Sequence, residues 1–157
     1  MITAPQYGEV LDALVAAIES SAADILPPHC PEWRLVTAYR CFAPYNDPTA
    51  LPGEWGAGDL PGCAVEFARA DHQFEASPSM RARTAVRVTV RLPDRDQPGA
   101  LEVGGRLAKV VGDNTPSPVP ARFYSLSSQT AEIGGTDEDP LTEAVVTFPL
   151  DIPYTLR

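Results

Sequence analysis

Two histidines and three cysteines are the side chains of this chain best suited to nucleophilic or metal chemistry. His29 and Cys30 are adjacent, while Cys41, Cys63 and His72 are widely spaced. Structural zinc sites supply ligands in close pairs such as C-x2-C, and that spacing is missing here. Small buried thiols in a reducing compartment are the simpler reading of the cysteines. "GGRLAK" (104–109) has glycines and a lysine but neither P-loop spacing nor the following Ser or Thr. The serines of "YSLSSQT" lie on no nucleophile elbow. The acids of "TDEDP" lack the alternating oxygen ligands and central glycine of a calcium loop, and read as a solvated hairpin turn. No catalytic constellation and no metal site is expected from these residues.

The strongest pattern is of another kind. In "RARTAVRVTVRLP" (81–93), Arg81, Arg83, Arg87 and Arg91 hold odd positions, and Thr84, Val86, Val88, Val90 and Leu92 hold even ones. A strand places those two sets on opposite faces. A third of the 12 basic residues therefore share one side of one strand, in a chain of net charge −9. Three readings of that face differ in chemistry. It is a solvated face with cross-strand acids (Glu66, Glu75, Glu143 and Asp151 all lie on candidate strands), each pair contributing about 0.2–1 kcal/mol. Or it is a subunit–subunit or tube-facing surface, where arginines of one copy meet acids of the next and fix register. Direct DNA binding is third, opposed by the surrounding acidic charge. Trp55, in the loop "PGEWGAGDLPG", is either tucked onto the domain or an anchor for a partner.

These residues need elements to hold them. "YGEVLDALVAAIESSAADIL" (7–26) predicts a helix with the stripe Tyr7, Leu11, Leu14, Ile18, Ala22 and Ile25, stopped by Pro27 and Pro28. Thr3 and Gln6 have capping-box spacing ahead of it. "WRLVTAYRCF" (33–42) predicts a strand with Trp33 in the core. A Pro/Gly-rich connection follows over 43–62. Residues 63–75 and 81–93 predict an antiparallel strand pair around the turn "ASPSM". Residues 94–114 predict a short helix with Leu101, Leu107, Val110 and Val111 as its stripe, ended by Gly112 or Asn114. Gly104 and Gly105 within it either weaken the helix or mark close packing. Strands are predicted over 122–133 and 141–157, joined by the acidic turn 134–140. In the last strand Ala144, Val146, Phe148, Leu150, Ile152, Tyr154 and Leu156 share one face. Glu143, Thr147 and Asp151 share the other with Pro149 and Pro153, which predicts an edge or bulged strand.

The expected fold is α+β: an antiparallel sheet with two helices packed on it, order α-β-β-β-α-β-β, with a long Pro/Gly loop after the first strand. A chain of 157 residues fits one domain, 1–157. A pI near 4.6 argues against a general nucleic-acid binder and against adhesion to anionic membranes. No apolar run reaches the roughly 20 residues that span a bilayer, and "MITAPQYGEV" has neither a basic n-region nor an apolar h-region, so no secretory signal is expected.

The amphipathic first helix, the strand "LPGCAVEFARADHQFE", the strand-to-helix run "RTAVRVTVRLPDRDQPGALEVGGRLAKVV" and the closing pair "ARFYSLSSQTAEI" and "TEAVVTFPLDIPYTLR" follow one another in a particular order. That order resembles the tail terminator (tail-completion) proteins of long-tailed bacteriophages. The resemblance covers most of the chain and rests on pattern, without an invariant motif. The loop at 43–62 and the glycine pair at 104–105 depart from it. It implies a homohexameric ring that caps the tail tube, stops its growth and meets the neck of the capsid. It implies partners in the tube and neck proteins, DNA passing through a channel without specific binding, no membrane partner, no enzymatic activity and no cofactor. The implied location is the head-proximal end of the virion tail, after assembly in the host cytoplasm. Arg81, Arg83, Arg87, Arg91, Trp55, Glu143 and Asp151 are the candidate interface residues. Another tail or neck component is the alternative within the class. A small cytoplasmic enzyme or ligand-binding α+β domain is the alternative outside it.

Overall fold

A computed structural model of the chain describes residues 6–38, 57–76, 79–113, 122–123 and 127–155. The first helix, α1 (Tyr7–Ser20), buries Val10, Leu11, Leu14 and Ile18, the stripe that the spacing predicts with Val10 added. It breaks at Ser21, and a four-residue helix, α2 (Ala22–Ile25), carries Ile25 into the core. Among the described residues there are thus three α-helices where two were expected. Thr3 of the predicted capping box lies outside the described residues; the described helix has Gln6 as its N-cap, without a side-chain bond. Leu26, in extended conformation ahead of Pro27 and Pro28, ends this segment.

Strand β1 (Leu35–Ala38) is shorter than the predicted 33–42, of which residues 39–42 lie outside the described residues. Trp33 precedes it, packs on the core, and donates its indole N–H to the Ile18 carbonyl at 3.0 Å. β1 runs parallel to β2 (Gly62–Ala76), from Leu35 opposite Gly62 to Ala38 opposite Val65. The sheet is therefore mixed, which corrects the antiparallel expectation. Parallel neighbours need a crossover of a dozen or more residues, and the stretch 39–61 supplies that length. Of it, only its end is described, a 3-10 turn at Ala57–Asp59 leading into β2.

β2 and β3 (Ser79–Leu92) form the expected antiparallel hairpin. Two register shifts interrupt it. Ala68 is extra between Phe67, opposite Val86, and Arg69, opposite Ala85; Glu75 is extra between Phe74 and Ala76. The first bulge switches the alternation, so Glu66 before it and Arg69, Asp71 and Gln73 after it share the face of the β3 arginines.

Helix α3 (Gln97–Asp113) buries Ala100, Val103, Gly104, Leu107 and Val111. Leu101 was expected in that stripe but is 44% exposed, and Gly112 lies inside the helix. Asp96 caps it, its carboxylate accepting from Gly99 N–H at 2.9 Å. The glycine pair divides in role. A Cβ on Gly104 would collide with the Gln129 side chain and lie 3.3 Å from Val146 Cγ2, whereas one on Gly105 would meet nothing. Close packing is thus the reason for Gly104 alone.

Two strands occupy the predicted 122–133: β4 (Arg122–Phe123) and β5 (Ser128–Gly135). A turn over 136–139 joins β5 to β6 (Pro140–Thr155). Gly135 enters that turn with φ +74°, a conformation that favours glycine. β6 pairs with β3 without interruption from Thr142 to Thr155, so it is not the edge strand that its prolines predict. On its other side the described pairing comes in two pieces. β5 ends its pairing at Thr147 and β4 holds only Leu150 and Asp151. Pro149 falls in the gap and Pro153 beyond β4, where a missing donor costs no described ladder bond.

The sheet path is β1-β2-β3-β6-β4, with β5 also on β6. Cys63, Val65, Val86, Val88, Val90, Ala144, Val146, Leu150 and Ile152 meet the stripes of α1 and α3 in one cluster of buried residues. This α+β arrangement packs its helix stripes on one face of the sheet and leaves the arginine-bearing face without a helix among the described residues.

Candidate interface on the open sheet face

The even residues of β3 from Ala82 to Leu92 are all buried, so the odd arginines stand on the open face. Each has an acidic partner there. Glu66 lies directly across from Arg87 in the β2–β3 register, and Arg87 Nη1 donates to Glu66 Oε1 at 3.1 Å. On the other side, Glu143 of β6 lies across from Arg91, and Nε donates to Oε2 at 2.7 Å. Asp151 lies across from Arg83 and diagonal to Arg81. Arg81 Nη1 reaches its Oδ2 at 3.1 Å, and Arg83 Nε stands 3.7 Å from its Oδ1.

The predicted cross-strand acids are therefore in place at Glu66, Glu143 and Asp151. Glu75 is not among them, because the bulge leaves it opposite no β3 residue. The pairs differ in character. Arg91 is 14% exposed and Asp151 7%, while Arg83 and Arg87 remain about half exposed, at 53% and 46%. The half-exposed pairs contribute at the low end of the range for surface ion pairs, about 0–1 kcal/mol. Asp151 is nearly desolvated and shared by two guanidiniums, so its loss leaves two cations without their common counter-charge. A fifth pair, Arg69 Nη2 to Asp71 Oδ2 at 2.8 Å, lies within β2 itself.

Why an acidic protein gathers arginines on one strand follows from this arrangement. The open face mixes both signs in rows across β2, β3 and β6. The helix layer carries exposed Glu9, Asp12, Glu19, Asp24, Glu102 and Asp113 against Arg106 and Lys109. The anionic excess of the described residues thus sits on the helix side and in the 136–139 turn. There Arg95 Nη1 bonds Asp137 Oδ1 at 2.8 Å.

The nucleophile and metal candidates are dispersed. His29 and Cys30 follow α2, Cys63 is fully buried in the core, and His72 on β2 bonds Tyr154 Oη through Nδ1 at 2.7 Å. Cys41 and Trp55 lie outside the described residues. Among the described residues no group of three or more His, Cys, Asp or Glu is arranged to hold a metal ion. One proximity escaped sequence reasoning: His29 Nε2 lies 3.1 Å from Asp94 Oδ2 at the end of β3, beside Cys30. Burial and then the Asp94 charge push the Cys30 thiol up from its ordinary value, the opposite of what an activated nucleophile needs. "GGRLAK" is helix interior, and Arg106 Nε in it donates to the Ile25 carbonyl at 2.9 Å, closing the end of α2. "TDEDP" forms the hairpin turn expected of it, with Thr136 and Asp139 bonded to each other through Thr136 N–H and Asp139 O at 3.0 Å. No helix among the described residues is long and apolar enough to cross a membrane.

Comparison with the models of known protein families gives no match for this chain, and comparison with curated proteins gives none either.

Proposed function

We propose that this protein is a ring-forming phage tail terminator, a structural virion protein that caps the tail tube and joins the tail to the head or neck. It acts as a homohexamer at the head-proximal end of the tail, after assembly in the host cytoplasm. Its partners are its own copies, the tube protein and a neck protein. It performs no catalysis, uses no cofactor and has no membrane partner. The observation that carries the reading is the order of elements. A long helix with a short one after it, a short strand, a long antiparallel hairpin, a second long helix and the strands β4, β5 and β6 follow one another among the described residues, with both long helices on one face of the sheet. The resemblance rests on the expected order α-β-β-β-α-β-β, to which α2 and one further strand are added.

The open face supports a subunit contact in this reading. Arg83 and Arg87 keep about half of their side chains in water, so a neighbouring subunit's acids can share them. Arg81, Arg91, Glu143 and Asp151 hold the rows in place, and Trp55 is the loop anchor. Six copies at −9 each make a strongly anionic ring. Acids lining its channel repel the phosphate backbone, so DNA passes without sticking. A channel potential positive throughout removes that part of the reading.

Solution mass and negative-stain images test the class, with rings in solution or on purified tails expected. A persistent monomer that binds a small molecule overturns it in favour of a ligand-binding domain. Deleting the gene tests the role. Overlong tails, or tails that fail to join heads, are expected; absent tails identify a tube subunit instead. Arg87→Glu places a carboxylate opposite Glu66 and is expected to abolish ring assembly. Assembly unchanged by it removes the open face from the interface.

A further inference from the structure

The distal half of β2 is exposed in a way that its neighbours are not. Every residue from Ala68 to Gln73 is exposed, on both faces of the strand. At the same level β3 and β6 are closed to solvent at Ala82, Thr84, Leu150, Asp151 and Ile152. On the outer side the described pairing with β1 runs from Gly62 to Val65, and among the described residues nothing pairs with β2 beyond it. Between its two bulges β2 keeps an unbroken register with β3 from Arg69 to Phe74, so Arg69–Asp71 is regular backbone, with the bulged Ala68 just before it. Such an edge offers unmet N–H and C=O groups to another strand.

Its side chains say which strand. Ala68 and Ala70 are small, and Arg69 and Asp71 lie on one face, already bonded at 2.8 Å. An antiparallel neighbour related by a two-fold axis at Ala70 places Arg69 opposite the second copy's Asp71, and Asp71 opposite the second copy's Arg69. Opposite charges fall directly across from each other twice, on the same face, and Ala70 meets itself at the axis. Charged edges discourage indiscriminate pairing, and this one is self-complementary in a single register.

We propose that the β2 edge around Ala70 pairs antiparallel with the same edge of a second copy of this chain, forming a two-fold contact with continuous sheet across it. The contact is short, so the dimer is weak and concentration-dependent. It does not rest on the tail reading, since a two-fold contact is separate from the head-to-tail contacts that close a ring.

Sedimentation of the full chain across concentrations up to about 1 mM, where a dimer with a Kd of about 1 mM is half formed, tests it. Wild type is expected to show a reversible dimer. Arg69→Asp and Asp71→Arg each place like charges across the axis and are expected to weaken the dimer about tenfold or more. Both positions are well exposed, and circular dichroism confirms that each variant is folded. An equimolar mixture of the two single variants restores opposite charges in the mixed pair, and dimer is expected to return. The double swap in one chain restores it as well. Wild type that stays monomeric overturns the proposal, as does a dimer that either single variant leaves unchanged, or a mixture no better than its parts. If wild type forms head-to-tail rings, the two-fold contact joins them in pairs; single reversals that leave the rings single support it, and ring pairs untouched by both reversals, or wild-type rings that never pair, refute it.

Discussion

Gly104 and Gly105 sit side by side in α3, yet the structure assigns them opposite responses to the same substitution. Glycine inside a helix costs about 1 kcal/mol relative to alanine. At Gly105 a Cβ meets open space, so Gly105→Ala is expected to gain about that amount. At Gly104 the Cβ takes space held by Gln129, whose Nε2 donates to the Leu101 carbonyl at 2.7 Å. Gln129 yields only by giving up that bond, a loss of about 0.5–1.5 kcal/mol. Val146 Cγ2, 3.3 Å from the new carbon, must also move by a few tenths of an ångström. The propensity gain and these losses nearly cancel, so Gly104→Ala is expected to fall about 1–2 kcal/mol below Gly105→Ala in stability. Urea unfolding measures this directly, and the melting points should separate by about 2–4 °C per kcal/mol. Gln129→Ala supplies the second arm of a cycle, because with the long side chain gone the penalty at Gly104 should shrink to the Val146 contact. If Gly104→Ala stabilises as much as Gly105→Ala, the packing of α3 against β5 and β6 described above is wrong.

Two further predictions concern charge and thiols. Arg91→Ala removes the less exposed partner of a 2.7 Å pair and is expected to cost about 1–2 kcal/mol, against at most about 0.5 kcal/mol for Arg87→Ala; urea unfolding of both at low and high salt checks the order. Burial pushes the Cys63 thiol well up from its ordinary 9.0, so the folded state favours the protonated form. The stability this gives is full below pH 9 and declines as pH rises above it, because the unfolded chain ionises first. Native protein at pH 8 should therefore react with a thiol reagent at Cys63 only on the unfolding timescale, and fast labelling there contradicts the burial of the β2 core face.

Much of the site was legible because strand period is two. The alternation of Arg81–Leu92 and of Ala144–Tyr154 fixed both faces of two central strands, and with them the rows in which Glu66, Glu143 and Asp151 meet the arginines. What was not legible depends on neighbours in space. β1 runs parallel to β2, and nothing in "LVTA" distinguishes parallel from antiparallel pairing. Leu101 fits a helical stripe by spacing, but which side of α3 faces the sheet is decided by where Gly104 allows close approach. The prolines of β6 signal an interrupted ladder, though not that the interruption lies on the β4 and β5 side. Glu75 looked like one more acid on a strand until the bulge removed its opposite number. The His29–Asp94 proximity joins residues far apart in sequence through the end of β3, and no local pattern announces it.

Ala68 has no residue across from it on β3, and this separates two properties of the hairpin that are usually tied together. Taking that one residue out would leave Phe67 opposite Val86 and Arg69 opposite Ala85, with every inward and outward side chain on its present face. Only the local twist, and so the direction in which the distal hairpin leaves the helix-covered body, would change. Loss of this single codon can therefore re-aim the hairpin in a descendant of this protein while its core and its charge rows pass through unaltered.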